Sequence, residues 1–379
     1  MGLKLSDDQL MLKETARSFL AEKSSVSRMR ELRDSVDATG FSRALWKEMA
    51  EMGWSGIVFP EDYGGAGMAY GELGVVLEEC GRVLAPEPFL STVLLGGNAI
   101  LLGGSDSLKK DLLTGVCSGD RILALAFQES GRFDSYGVAT RAKREGDGYE
   151  ISGHKLFVLD AHVADPLIVV ARTAAEPGER DGLSLFVVDA DAPGLSITRN
   201  QMMDGRNAAD VGLECVKVPA DRVLGRVDGG ADLLDAIFAR ATIGLSAEML
   251  GTFEEAFERT LAYLKEREQF GVKIGTFQAL RHRAVDMFCE LELARSVVRE
   301  ALTALDEDRD DLLLMASAAK ARCSDVSNLI TREAIQMHGG IGMTDEEEIG
   351  LFFKRAKAAE LTLGDAIHHR DRYAELRGF

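Results

Sequence analysis

Apolar and polar positions alternate in three different rhythms along the chain. Up to about Gly119 the rhythm is helical but broken. Ser6 followed three residues later by Gln9 predicts a capping box, with Leu10, Phe19 and Leu20 set among charges behind it. Gly53, Pro60, Gly64-Gly65, Gly81 and Pro86 then divide the region into several short helices. From about Arg121 to Asp228 the period shortens, and runs such as Leu167–Val170 and Leu185–Val188 predict strands. Asp147-Gly148 between Val138–Ala142 and Ile151–Val158 predicts a hairpin. From Gly229 the helical period returns and persists, over Leu233–Arg267, Phe277–Leu305 and Asp311–His338. Long helices without proline pack as bundles. The expected architecture is a multidomain α+β chain. It comprises an N-terminal helical domain (1–119), a central β-barrel-like or sandwich domain (120–228) and a C-terminal four-helix bundle (229–379).

A length of 379 residues, with 46% apolar and 28% charged side chains, suits a globular protein with a large core. The excess of 62 acidic over 44 basic residues gives a net charge of −18, which argues against a nucleic-acid or anionic-membrane surface. A local basic site for an anionic ligand remains compatible with that balance. Cys80, Cys117, Cys215, Cys289 and Cys323 show neither CxxC spacing nor a Cys/His cluster, so buried free thiols are expected and a metal site is not. The apolar stretch Phe89–Leu102 is interrupted by Gly96, Gly97 and Asn98 and is too short to span a bilayer. No basic segment leads into an apolar run near the N-terminus, and a cytoplasmic protein is expected.

Three segments, in order, resemble the acyl-CoA dehydrogenases. Trp46–Gly67 (WKEMAEMGWSGIVFPEDYGGAG) is similar to the family's N-terminal helix and its PEeyGG loop. Arg267–Leu280 (REQFGVKIGTFQAL) resembles the R-x-x-F-G…F-Q signature, and Gln336–Gly342 (QMHGGIG) the Q-x-x-G-G-x-G signature. The resemblance implies FAD as cofactor, an acyl-CoA thioester as substrate, and a dimer or dimer of dimers. It also implies electron-transfer flavoprotein or a similar acceptor as electron partner. The implied cofactor-binding residues are Arg267, Gln269, Phe270, Gln278, Gln336, Gly339 and Gly340, which in the family serve the FAD held mainly by a neighbouring chain. The residue types suit that role. A planar guanidinium matches a pyrophosphate, and glycines admit close backbone approach. Outside this context Arg267 would read as a helix C-terminal cation and the Gly-Gly turn as a C-cap.

Other positions depart from the family pattern. The T-E-P-x-x-G-S-D segment near the flavin corresponds to Gln128-Glu129-Ser130-Gly131-Arg132-Phe133-Asp134-Ser135, and W-I-T beside the isoalloxazine to Phe157-Val158-Leu159. The catalytic glutamate of Y-E-G-T corresponds to Leu363, within Thr362-Leu363-Gly364-Asp365. Some members carry that glutamate instead on the first long C-terminal helix, where this chain has Ala241, followed by Thr242. Neither side chain can accept a proton, and no catalytic residue is assigned. Asp365 is expected to cap a helix, and Glu248 to be a solvated or structural charge. His338, His368 and His369 are expected on helix surfaces or at C-caps. The expected function is the base-less subunit of a heteromeric acyl-CoA dehydrogenase, of a group whose substrates include CoA thioesters of steroid side chains. The alternatives are a self-sufficient homotetramer with a relocated base, Asp365 or Glu248, and a flavin-free scaffold on the same fold.

Overall fold

The computed structural model describes residues 4–379, and the chain divides into two compact units, each discontinuous in sequence. One gathers residues 4–31, 70–85 and 242–379; the other gathers 32–69 and 86–241.

The N-terminal helices are α1 (Asp7–Lys23), α2 (Val26–Asp34), α3 (Arg43–Glu51), α4 (Tyr70–Arg82), α5 (Asn98–Gly103) and α6 (Asp106–Cys117). The capping box forms at α1: the Ser6 hydroxyl accepts from the Gln9 amide at 3.1 Å, and the Gln9 side chain accepts from the Ser6 amide at 3.1 Å. Phe89–Gly97, part of the interrupted apolar stretch, forms a buried π-helix that leads into α5. No described helix is long and apolar enough to cross a membrane.

The strands are β1 (Ala124–Ala126), β2 (Arg141–Glu145), β3 (Gly148–Leu159), β4 (Pro166–Arg172), β5 (Leu183–Asp189), β6 (Leu195–Gln201), β7 (Asn207–Pro219) and β8 (Val223–Leu224). They join in one eight-stranded sheet of order β6-β7-β3-β2-β4-β5-β8, with β1 parallel to β4. The β2–β3 hairpin turns one residue earlier than the Asp147-Gly148 signal suggests. Glu145 pairs with Gly148, which leaves Gly146 (φ 60°) and Asp147 as the central residues. Tyr149, Ile151, Leu167, Val169, Phe186 and Val216 pack together in the core of this domain.

The C-terminal helices are α7 (Gly230–Glu266), α8 (Gln278–Asp306), α9 (Leu312–His338), α10 (Ile349–Leu361) and α11 (Ala366–Leu376). A small hairpin, β9 (Glu268–Gln269) with β10 (Val272–Lys273), separates α7 from α8. In this helical unit α4 crosses α7 at two glycines. A Cβ at Gly81 would lie 2.0 Å from the Glu248 carbonyl oxygen, and one at Gly251 1.7 Å from that of Glu78. Around the crossing, Lys13 and Arg295 share Glu78 at 2.5 and 3.1 Å, and Arg295 also reaches Glu254 at 2.6 Å. The thiols are not uniformly buried. Cys80, Cys117 and Cys323 are, but Cys215 and Cys289 are exposed, because Cys215 sits in an irregular stretch of β7 (φ 53°) and Cys289 on an outward face of α8.

Candidate functional site

Arg267 follows the last turn of α7, its amide donating to the Tyr263 carbonyl at 2.8 Å. The chain then reverses at Phe270 (φ 56°) and Gly271 (φ 77°), the tip of the β9–β10 hairpin. This tip holds Phe270 92% exposed, its ring edge-on to Phe277 at 6.2 Å. Gln278 opens α8 directly afterwards. At the end of α9, Gly339 (φ 68°) turns the chain out of the helix. Tyr263 joins these two places: its ring stacks on His338 at 4.4 Å and its hydroxyl donates to the His338 carbonyl at 3.2 Å. Arg267, Gln269, Phe270 and Gln278 are therefore brought to the same end of the bundle as Gln336, Gly339 and Gly340, and all of them are exposed.

Several observations fit an external anion at this end. Among the described residues the Arg267 guanidinium makes no hydrogen bond or ion pair, so its donors are available. A Cβ at Gly340 would meet nothing within 4 Å, so packing inside this chain does not call for glycine there. Gln269 is the exception, since its amide is turned back onto the Glu268 carbonyl at 2.8 Å.

In the sheet unit the residues expected to match the family's flavin segments are engaged differently. Glu129 accepts from the amides of Ala139 (2.7 Å) and Thr140 (3.0 Å) and from the ammonium of Lys155 (2.6 Å). Lys155 is fully buried, and burial, opposed by Glu129, brings its pKa down to about 8. Burial alone would raise the Glu129 carboxyl, but Lys155 and the amide donors outweigh it and hold the group below its ordinary value. Glu129 is thus a clamp inside the fold. Between Lys155 and Val158 the β3–β7 register shifts by one residue, a bulge that gives Phe157 a φ of 53° and leaves it 44% exposed. Leu159 is half-buried. Beside it the Asp160 carboxyl accepts from Ser91 at 2.5 Å, and burial pushes its pKa up to about 6 against the pull of Ser91, Asn207, Arg206 and Arg199. Phe127, Phe133 and Phe238 form an edge-to-face cluster with ring separations of 4.8–5.8 Å.

Leu363 and Ala241, expected from the resemblance to stand where family members carry the glutamate, are buried at 2% and 0% exposure. Leu363 has φ 59° and its carbonyl hydrogen-bonds His369 Nε2 at 2.9 Å. Beneath it the buried Lys320 donates to the carbonyls of Glu360 (2.9 Å) and Gly364 (2.6 Å), and burial lowers its pKa to about 7. The nearby ionisable side chains have structural tasks. Asp365 is the N-cap of α11, accepting from the His368 amide at 2.8 Å. Glu248 is not solvated but buried, with Arg355 at 3.4 Å. His369 lies in the interior rather than on a helix surface, because its ring is used to hold the Leu363 carbonyl; burial takes its pKa down to about 3. His338 is likewise buried, Nδ1 on the Ala334 carbonyl at 2.7 Å. Sequence reasoning misses the Lys155–Glu129 and Lys320 clamps. A lysine within an otherwise apolar stretch is their available signal.

Comparison with known proteins places this geometry. Models of the N-terminal, middle and C-terminal domains of acyl-CoA dehydrogenase match residues 6–120, 125–216 and 228–375. The chain belongs to the acyl-CoA dehydrogenase family. Membership makes it an FAD-dependent oxidoreductase of helical, β and helical domains. A probable acyl-CoA dehydrogenase of Bacillus subtilis, YngJ, is 32% identical over 371 residues, covering 96% of each chain. Among solved structures, a variant of a protein described as the Tcur3481–Tcur3483 steroid ACAD is 33% identical with a TM-score of 0.87 over 98% of each chain. The ChsE4–ChsE5 complex from Mycobacterium tuberculosis is 27% identical with a TM-score of 0.89 over all of both chains.

Proposed function

We propose that this chain is the base-less subunit of a heteromeric acyl-CoA dehydrogenase, lending the bundle end around Arg267 and Gly340 to an FAD held mainly by a homologous partner. Desaturation of an acyl-CoA removes an α-proton while a β-hydride is delivered to the flavin. The proton requires a carboxylate within hydrogen-bond reach, which contributes about 10²–10⁴-fold to such reactions. The observation that carries the reading is a pairing of opposites in one chain. Leu363 and Ala241 are aliphatic and buried, while the residues matching the cofactor motifs that serve a neighbour are exposed, with the Arg267 guanidinium unengaged. Asp365 and Glu248, the candidates for a relocated base, are engaged as a helix cap and in an ion pair.

In this assembly Arg267 neutralises pyrophosphate charge, Gln278 and Gln336 offer amide groups to the nucleotide, and Gly339-Gly340 let backbone approach it. Two solved relatives are described by paired names, and one of them as a steroid ACAD. A ring-bearing acyl-CoA is accordingly the substrate class proposed here, with electron-transfer flavoprotein or a similar protein as acceptor. The test is to purify the chain alone and with its homologous partner, count FAD per chain, and assay acyl-CoA-dependent dye reduction. One FAD per pair of chains, with turnover confined to the pair, is the expected result. Robust turnover by the lone chain, abolished by Asp365→Asn or Glu248→Gln, would sink the proposal in favour of a relocated base.

A further inference from the structure

We infer that Phe133 is a plug that closes this chain's own acyl slot by packing its ring against Phe238, so that acyl-CoA is excluded from this chain and docks at its partner. The inference rests on the subunit reading above, and on the equivalence of 128–135 to the flavin segment and of Ala241 to a base position.

The geometric requirement is simple. A base and a flavin that act on adjacent carbons must stand on opposite sides of the acyl chain, so the walls that carry them need a gap one chain wide. Here the flavin-side wall is segment 128–135, where Phe133 stands in place of the family's glycine. The other wall is the first half of α7, where Phe238 lies about one turn before Ala241. The two walls touch. Phe133 meets Phe238 edge-on at 5.5 Å and Phe127 at 5.8 Å, and Phe127 meets Phe238 at 4.8 Å. Edge-to-face rings at these separations are attractive beyond the area they bury.

A second set of bonds holds the walls together independently of the rings. The Tyr136 hydroxyl donates to both oxygens of Asp235 on α7 at 2.9 Å, and Arg180 reaches Asp235 at 2.5 Å while lying over the Tyr136 ring. Arg172, buried, donates to the carbonyls of Tyr136 (2.7 Å) and Val138 (2.8 Å). Segment 133–138 is therefore fastened to α7 less than one turn from Phe238. Phe133 is half-buried and sits in a loop, so it can be shortened with less damage than Phe127 or Phe238, which are buried.

The test uses S-octyl-CoA, a thioether that binds as an acyl-CoA but cannot be desaturated, titrated calorimetrically into the full chain with FAD in the buffer. Wild-type protein and Phe133→Leu, which keeps the bulk, should show no saturable uptake. Phe133→Gly should bind about one thioether per chain, at least tenfold more tightly than wild type. Phe238→Ala opens the slot from the opposite wall and should act in the same direction if the loop variant is poorly folded. Wild type binding as tightly as Phe133→Gly would overturn the plug, as would two folded opening variants that bind nothing. FAD counts on the same protein after desalting into FAD-free buffer separate the two proposals. One FAD per wild-type chain without thioether uptake removes the shared-flavin reading and leaves the plug standing. Thioether uptake by a wild-type chain without its own FAD does the reverse.

Discussion

The bundle end near Arg267 and the sheet face near Glu129 both carry residues that the family resemblance points to as flavin-site positions, yet their side chains are used in different ways. At the bundle end a guanidinium is unengaged, a phenylalanine stands 92% exposed, and a glycine borders open space. In the sheet unit most of the matched groups are engaged inside the chain, although Phe157 is 44% exposed. Glu129 is committed to Lys155 and two amides, Asp160 to Ser91, and Phe133 to Phe127 and Phe238. On the proposed reading the first set of groups is available to a ligand outside the chain, and the second is used by the fold itself.

Four substitutions would break or sharpen that contrast, from the largest expected effect down. Lys155→Met removes the ammonium from the partly buried Glu129, which keeps only its two amide donors, and should cost up to about 3 kcal/mol of stability, read as a fall in the urea midpoint. A change within error would mean that Glu129 is not a structural clamp. Asp160→Asn tests the same interior by pH. The folded carboxyl ionises at about 6 and the ordinary group at 3.8. The cost of charging it is therefore absent below 3.8, grows between the two values and is full above about 6. The variant should gain at most about 3 kcal/mol at pH 7.5 and nothing at pH 4. Equal gains at both pH values would show that the charge is not the cause.

At the bundle end the readout should switch from stability to ligand. Arg267→Ala should leave the urea midpoint unmoved, while FAD retention in the assembled enzyme weakens by about 1.5–3 kcal/mol, roughly 10- to 150-fold. Unchanged FAD affinity would remove Arg267 from the site. The smallest effect belongs to Asp365→Ala, which loses an N-cap worth about 1 kcal/mol in melting experiments. Dye reduction by the assembled enzyme should not change if Asp365 serves only as the cap, and a large fall would make it the base.

Periodicity makes the long helices, the main strands and the capping boundaries legible because each depends on neighbours within a few residues. The fold class also follows from the order of the three textures. The π-helix at Phe89–Gly97 and the bulge at Phe157 are not legible, since one widens the hydrogen-bond spacing of a helix and the other inserts one residue into a ladder, and neither changes the apolar pattern that marks the element. The motif residues around Arg267 and Gly339 can be named, but their meeting at one end depends on Tyr263 stacking on His338 across 75 residues of sequence. Phe133 shows only as a departure from glycine. Its consequence requires knowing that Phe238, 105 positions later, stands opposite.

The glycine crossing of α4 and α7 has a mechanical consequence. With carbonyl oxygens 1.7 and 2.0 Å from where a Cβ would be, only glycine can occupy either contact, and the residues flanking Gly251 are Leu250 and Thr252. Sliding α7 along its axis by a turn would bring Ala247, Glu248, Glu254 or Glu255, the residues one turn either side of Gly251, toward the Glu78 carbonyl, and each carries a Cβ that this contact has no room for. The crossing therefore resists translation of one helix along the other.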